Sequence, residues 1–421
     1  MDRLLPQDFI RAMPDTDRGS AARAPQGRPP SLSPFLDGYT PAVRPSPLHY
    51  RTAELNETND WQEVDGVTLP LSLNRPETEY AALRTTAVMT DVSMLRKYWI
   101  AGFESQAFLD RLLTRPATSL GVGQSGLSLV CNDQSLVLGI VRLHRLGEAE
   151  FLLSGEAPLL AWLMRSVHGF KVQIEDVTAR LGAIRLAGPQ AFVVVNDALT
   201  ALPAPPNALA YRCQVAGIDV LISSGMSGLG DALDVFMPAD EAVTIWDRLH
   251  RAVTAQGGSP IGTQIAENRR IERGVPRWGV EYGRAPLTVL ATELSLARAV
   301  APGPAYFTGR RAYQRASEHG RAKVRVGVIF TSGDGDDRWI GAPGPVRGLG
   351  LRRLFRPEGT PVGVLTSLCQ SPGLGQPVGL GYVSAAHAVP GQRVLIPTGS
   401  EHLAKPAQCV EGRVVFGAAV R

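Results

Sequence analysis

Apolar residues in this chain come in short runs broken by glycine, proline and charge, a texture that predicts many short strands and helices. Pro76 to Thr86 (PETEYAALRTT) predicts a helix whose early acids complement its N-terminal dipole. The strand-like VMTDVS and RKYWIAG follow, and Glu104 to Leu113 sets Phe108 and Leu112 on one helical face. A strand pair, Leu127 to Cys131 and Leu136 to Arg145, precedes the strand EFLLSG and a helix from Ala157 to Val167. A related order returns downstream. Ala183 to Ala187 reads as a strand, Gly188-Pro189 opens a helix, and Ala210 to Ser223 makes two strands around Gly217. The Gly-rich segment Gly225 to Gly230, the strand Leu233 to Met237 and a helix from Ala239 to Ala255 complete it. Two loosely similar halves of this kind imply an α+β architecture built by pseudo-duplication.

Beyond about Pro302 the texture changes to strands split by Gly/Pro turns: KVRVGVIF, GTPVGVLTS, QPVGLGYVS, QRVLIP and GRVVFGAAV. Regular short strands predict a small antiparallel barrel or jelly-roll-like module. At the other end, Asp15 to about Pro47 is rich in Pro, Arg, Ser and Gly with few apolar residues. The expected division is a disordered leader over 1–45, an α+β region over 46–300 and the barrel over 301–421.

Composition narrows the function classes. The chain has 421 residues, with 44% hydrophobic and 19% charged, which excludes disorder or coiled coil for the bulk. A net charge of +4 is spread without clustering, so no nucleic-acid partner is expected. Cys131, Cys213, Cys369 and Cys409 lie far apart without metal-ligand spacing, so neither a metal site nor a disulfide framework is expected. No apolar run approaches the roughly 20 residues that cross a bilayer, and MDRLLPQDFIRAMPD lacks the apolar centre of a secretory signal. The expectation is a cytoplasmic protein without a membrane partner.

Several segments, in the same order, resemble the glycine cleavage T-protein (aminomethyltransferase) family: SPLHYR, EYAALRTTAVMTDVS, FLDRLL, LVCND, RLAGPQA, GMSGLGDALDVFMP, IERGVPRWGVE, FTGRRAY and VGVLTSLCQSPGLGQPVGLGYV. The resemblance covers almost all of the chain outside the leader. It implies a three-lobed fold, two α+β lobes plus a C-terminal antiparallel β-barrel, around an opening that accepts tetrahydrofolate. It places Gly225, Met226, Ser227 and Gly228 at the pterin, together with Asn132. It also puts Asp234 where family members carry a Glu that pairs with the pterin's amino-pyrimidine edge. A carboxylate suits adjacent N–H donors because it accepts two parallel hydrogen bonds. An isolated Gly-rich loop is otherwise a tight surface turn.

One departure redirects the chemistry. Where the family has two adjacent acids after the Asn, this chain has Gly139 and Ile140. If Val137 to Arg145 is a strand, Ile140, Arg142 and His144 share a face. Arg142 then becomes a candidate clamp for an anionic substrate and His144 a candidate proton donor or acceptor. The alternative is a solvated sheet face. Glu281 is a candidate for a buried general acid or, equally, a structural partner, whereas Glu272 fits a structural pair with Arg269 or Arg273. The leading expectation is a tetrahydrofolate-dependent methyl or aminomethyl transferase, leaning to demethylation of a small methylated substrate, with or without a carboxylate. Its alternatives are the glycine-cleavage aminomethyltransferase itself and a non-catalytic folate-binding protein. The expected partners are a small one-carbon donor and a carrier protein or oxidase subunit.

Overall fold

The computed structural model describes residues 44–199, 202, 209–225, 232–284, 287–301, 306–331, 344–345, 352–397 and 409–415. The expected leader, apart from its last two residues, lies outside them. The first sheet is antiparallel and has five strands, in the order Ser125–Cys131, Val137–Gly147, Glu150–Gly155, Arg96–Ala101 and Gln173–Asp176. The helix Ser105–Leu112 packs Phe108, Leu109 and Leu112 against its outer face, with Val141, Leu143, Phe151 and Leu153 from the strands. The i, i+4 spacing of Phe108 and Leu112 gives this helix its buried stripe.

The second sheet has six strands. Ala210–Val215, Ile218–Ser224, Ala232–Pro238, Leu181–Ala187 and Val88–Asp91 run antiparallel in that order, and the short Ser259–Pro260 pairs in parallel at the edge. Ala216 and Gly217 turn the first hairpin with φ of 55° and 82°, the left-handed pair that a two-residue connection requires. The helices Ala191–Ala198 and Ala242–Ala255 cover one face, burying Val194, Val195, Ile245, Trp246, Leu249 and Val253.

The C-terminal strands close into a six-stranded antiparallel barrel: Lys323–Phe330, Gln376–Ser384, Pro361–Ser371, Arg352–Phe355, Arg393–Pro397, Cys409–Val415 and back to the first. Closure removes open edges and leaves Val328, Phe330, Leu365 and Ile396 to fill the interior. The chain is thus an α+β fold of two sheet-and-helix lobes plus a barrel. No helix of the described residues is long and apolar enough to cross a membrane.

Polar contacts lock the lobes together. Ser125 Oγ donates to Leu209 O at 2.8 Å between the two sheets. Arg270 Nη2 donates to Ser367 Oγ at 2.8 Å, and Tyr382 Oη donates to Glu281 O at 2.9 Å, between the helix-loop region 263–284 and the barrel. Lys97 is fully buried. Its ammonium donates to Ser93 O at 2.9 Å and Leu181 O at 3.0 Å, which joins the two lobes, and burial lowers its pKa to about 7.

Candidate functional site

The strand Val137–Gly147 divides its side chains by the period of two. Val141 and Leu143 enter the first lobe's own core, whereas Ile140 packs beside Tyr282 and Arg142 and His144 reach the second lobe. A Cβ on Gly139 would meet Leu159 Cδ1 at 2.8 Å, so that position belongs to the lobe core. Of the two positions where the resemblance puts acids, only Ile140 faces the meeting point of the lobes.

Arg142 sits there with its hydrogen bonding incomplete. Nη1 donates to Ser125 Oγ at 3.1 Å and Nη2 makes a long contact of 3.4 Å with Gly225 O. Nε is buried and meets no acceptor among the described residues. Burial is the main influence lowering the guanidinium to about 10, Asp234 opposes it, and the like charges of Arg185 and Arg298 add to it. A buried cation short of acceptors is an element that binds anions.

Asp234 is 2% exposed and already engaged. It stands directly across the strand pair from Arg185, whose Nε lies 2.6 Å from Oδ1 and whose Nη2 lies 2.8 Å from Oδ2. This is a bidentate fork. Burial works against the Arg185 charge, but Asp234 more than offsets it and holds the guanidinium above its ordinary value. The carboxylate expected at the pterin edge is thus already paired with a protein guanidinium through both oxygens. Gly225 lies beside the pair, its N–H donating to Ala232 O at 2.7 Å, and a Cβ there would stand 3.1 Å from Asp234 Oδ1. Met226, Ser227 and Gly228 lie outside the described residues.

The contacts give the surroundings of three further candidates. His144 is fully buried between two serines, with Nδ1 2.8 Å from Ser223 Oγ and Nε2 2.9 Å from Ser154 Oγ. Ser223 Oγ also lies 3.0 Å from Leu209 O and donates there, so Nδ1–H donates to Ser223 and Nε2 accepts from Ser154. Burial, reinforced by Arg142, lowers the imidazole to about 3. His144 is therefore a neutral cross-link between the sheets. Glu281 is saturated: it accepts from Arg270 Nη1 at 3.0 Å, Arg277 N at 2.9 Å, Thr366 Oγ1 at 2.9 Å and Ser367 Oγ at 2.5 Å. These contacts tie the barrel to the lobes. Asn132 is a turn residue, its Oδ1 accepting from Gln134 N at 3.0 Å and Leu136 N at 2.9 Å. Glu272 is structural as expected, paired with Arg269 Nη1 at 3.0 Å and bonded by Tyr80 and Ser371.

Sequence reasoning missed Glu156. It follows the strand Glu150–Gly155 directly, and its Oε2 accepts from Trp278 N at 3.0 Å. Burial raises its pKa, against the pull of Arg277 and Arg270. The available signal was the alternation Ser154, Glu156 on one strand face. An open cleft of about 510 Å³ lies elsewhere, lined by Asp110, Arg111, Phe170 and Tyr306 among others, and shares no residue with this charged cluster.

Comparison with known proteins matches two family models. The GCVT N-terminal domain matches residues 51–302, and the glycine cleavage T-protein C-terminal barrel domain matches residues 345–413. An aminomethyltransferase of Saccharopolyspora erythraea is 29% identical over 355 residues, covering 83% of this chain and 92% of that protein. One from Geobacillus thermodenitrificans is 28% identical over 341 residues, covering 79% and 88%. The crystal structure of glycine cleavage system aminomethyltransferase T from Bartonella henselae superposes with a TM-score of 0.74 at 23% identity, covering 88% of this chain and 96% of that one.

Proposed function

The chain belongs to the glycine cleavage T-protein family, and from that premise we propose that it is a tetrahydrofolate-dependent one-carbon transferase that demethylates a small donor carrying a carboxylate. The observation that carries this reading is Arg142, a guanidinium at the meeting of the lobes with a buried Nε that has no acceptor among the described residues. Its unspent donors suit a carboxylate, which accepts parallel N–H bonds from a guanidinium. The absence of an acid at Gly139 and Ile140 separates this site from the ordinary glycine-cleavage chemistry.

The residues present also fit a reduced folate, which carries both donors and acceptors. Arg142 offers donors, Glu156 keeps an acceptor oxygen, and Gly225 lets the backbone approach Asp234. When bound, tetrahydrofolate supplies N5 as the nucleophile that takes up the carbon. The protein contributes orientation: Arg142 holds the donor's anionic end, and the Asp234–Arg185 fork fixes the charges beside it. A carrier protein or an oxidase subunit as the source of the one-carbon unit belongs to the same proposal.

The test incubates the protein with tetrahydrofolate and methylated donors with and without a carboxylate, and weighs the pterin product. Transfer is expected from a carboxylated donor, and Arg142→Ala should raise its KM by roughly 10- to 100-fold, the worth of a charge-assisted contact. An unchanged KM removes Arg142 from the donor site. Transfer only from an aminomethyl-loaded carrier protein would establish the glycine-cleavage reaction instead. Tetrahydrofolate binding without transfer from any donor would establish a folate-binding protein without the chemistry.

A further inference from the structure

Glu156 occupies a place that the sequence leaves empty. The strands Val137–Gly147 and Glu150–Gly155 pair with Arg142 opposite Ser154 and Val141 opposite Gly155. Glu156 is the next residue, a bend just past the end of the ladder, and the same register carried one residue further directs it toward Ile140. Directly opposed residues of an antiparallel pair carry Cβ atoms about 4.5–5.5 Å apart and share a face. That face is the inner one, because Ser154, two residues before Glu156, bonds His144 on it. Tyr282 closes the same corner: its hydroxyl accepts from Ile140 N at 3.2 Å, and the Glu156 carboxylate acts on its phenol.

The carboxyl is held by one oxygen and open at the other. Oε2 accepts from Trp278 N at 3.0 Å, while Oε1 has no donor within hydrogen-bond distance among the described residues and is not sealed from accessible space. Arg277, Arg270, Glu267, Arg185 and Tyr282 are the charged and titratable groups that act on it. Arg185 is forked onto Asp234, and Arg270 is taken up by Glu267 and Glu281. Of its cations, these two therefore already have carboxylate partners of their own. The other buried acids near this point, Asp234 and Glu281, have their oxygens occupied. Glu156 alone among the three combines a fixed backbone anchor with a spare oxygen.

We propose that Glu156 is the catalytic acid of the transfer, moved one strand sideways from the position where the resemblance expects it at Ile140. The inference rests on the folate-dependent reading above. As the donor's carbon passes to the folate nitrogen, its bond to nitrogen, oxygen or sulfur breaks and the electron pair stays on that heteroatom. The Glu156 carboxyl delivers its proton there, and the proton shed by the folate nitrogen restores the carboxyl, so charge and protons balance without an added reagent. Burial, which favours the neutral carboxyl, supports this role.

The test follows Glu156 itself. Protein labelled with ¹³C in the glutamate carboxyls is titrated by infrared spectroscopy, with and without saturating tetrahydrofolate, while calorimetry records binding in parallel. Glu79 and Glu150 are also raised by burial, so the band of interest is the one that vanishes in Glu156→Gln; it is expected to titrate above the ordinary glutamate range and to shift its midpoint by about one pH unit or more when the ligand fills the space at Oε1. Gln keeps an oxygen for the Trp278 N–H. Should that variant fail to fold, Glu156→Asp assigns the band in its place. A midpoint in the ordinary range, or one that tetrahydrofolate leaves unmoved, overturns the assignment while folate binding stands. Wild-type protein that does not bind tetrahydrofolate overturns the functional reading and this inference with it.

Discussion

Replacing His144 with glutamine separates a structural imidazole from a proton carrier. His144 is fully buried between Ser154 and Ser223 and faces the edge of Phe236, with ring centroids 5.7 Å apart. Folding keeps its imidazole neutral until about pH 3, whereas an unfolded histidine takes its proton near 6.5. Between those values the unfolded chain holds a proton that the folded chain refuses. Stability is therefore full above about 6.5 and falls as the pH drops toward 3, by about 1.4 kcal/mol per unit.

From pH 7 to about pH 4.5 this linkage amounts to roughly 2–3 kcal/mol from one side chain. Glu79, Asp91, Glu150 and Glu156 have pKa values raised chiefly by burial and act in the opposite sense, taking up protons more readily when folded. The raw pH profile of the wild type therefore mixes both influences. The difference between wild type and His144→Gln cancels the carboxyl part, provided the variant leaves those acids in place. Glutamine can still reach a hydroxyl but cannot be protonated. The measurement is urea unfolding followed by tryptophan fluorescence at the two pH values. The advantage of wild type over the variant should shrink by about 2–3 kcal/mol on acidification. An advantage that stays constant would refute a buried neutral His144 and return the imidazole to a solvated or catalytic setting.

Two other substitutions probe the packing around the site. Gly139→Asp, which restores an acid where the family pattern has one, should cost at least 1–3 kcal/mol by thermal unfolding, since its Cβ would meet Leu159 at 2.8 Å and its charge would enter the lobe core. Glu281→Ala should cost about 3–5 kcal/mol by the same measurement, because it strips a buried partner from Arg270 and the acceptor of Thr366 and Ser367. A loss under about 1 kcal/mol for Glu281→Ala would show that the barrel is held by other contacts.

Elements with apolar stripes were legible, and those whose buried side is charged were not. The helices Pro76–Thr85 and Ser105–Leu112 and the strands Glu150–Gly155, Lys323–Phe330 and Gln376–Ser384 fall where the hydrophobic pattern sets them. The helix Thr263–Glu272 escaped because it buries Asn268, Arg269, Arg270 and Glu272, which pairing makes tolerable and which no hydrophobic period reveals. The helix Arg310–His319 buries none of its residues, and the strand Arg352–Phe355 begins with two arginines. The hairpin Trp61–Val64 to Val67–Pro70 carried a readable Asp-Gly signal at Asp65 and Gly66, with φ of 51° and 84°.

At the site, periodicity assigned faces correctly and could not assign surroundings. That Arg142 and His144 share a face follows from the strand alone. That His144 is sealed while Arg142 keeps an unpartnered Nε depends on Ser223 and Gly225, which lie 79 and 83 residues away in sequence. The Asp234–Arg185 fork likewise joins residues 49 apart. Glu156 shows the same limit at short range. It stands just past the end of the strand that follows the hairpin turn, and the register of that turn, with a shift between Arg145 and Gly147, decides which way the chain presents it. A register one residue different would turn Glu156 to the opposite face, because side chains alternate at every step. The irregularity near Arg145 thus sets which way the acid points as well as how the hairpin closes, and a substitution that altered that turn would move Glu156 without touching the site.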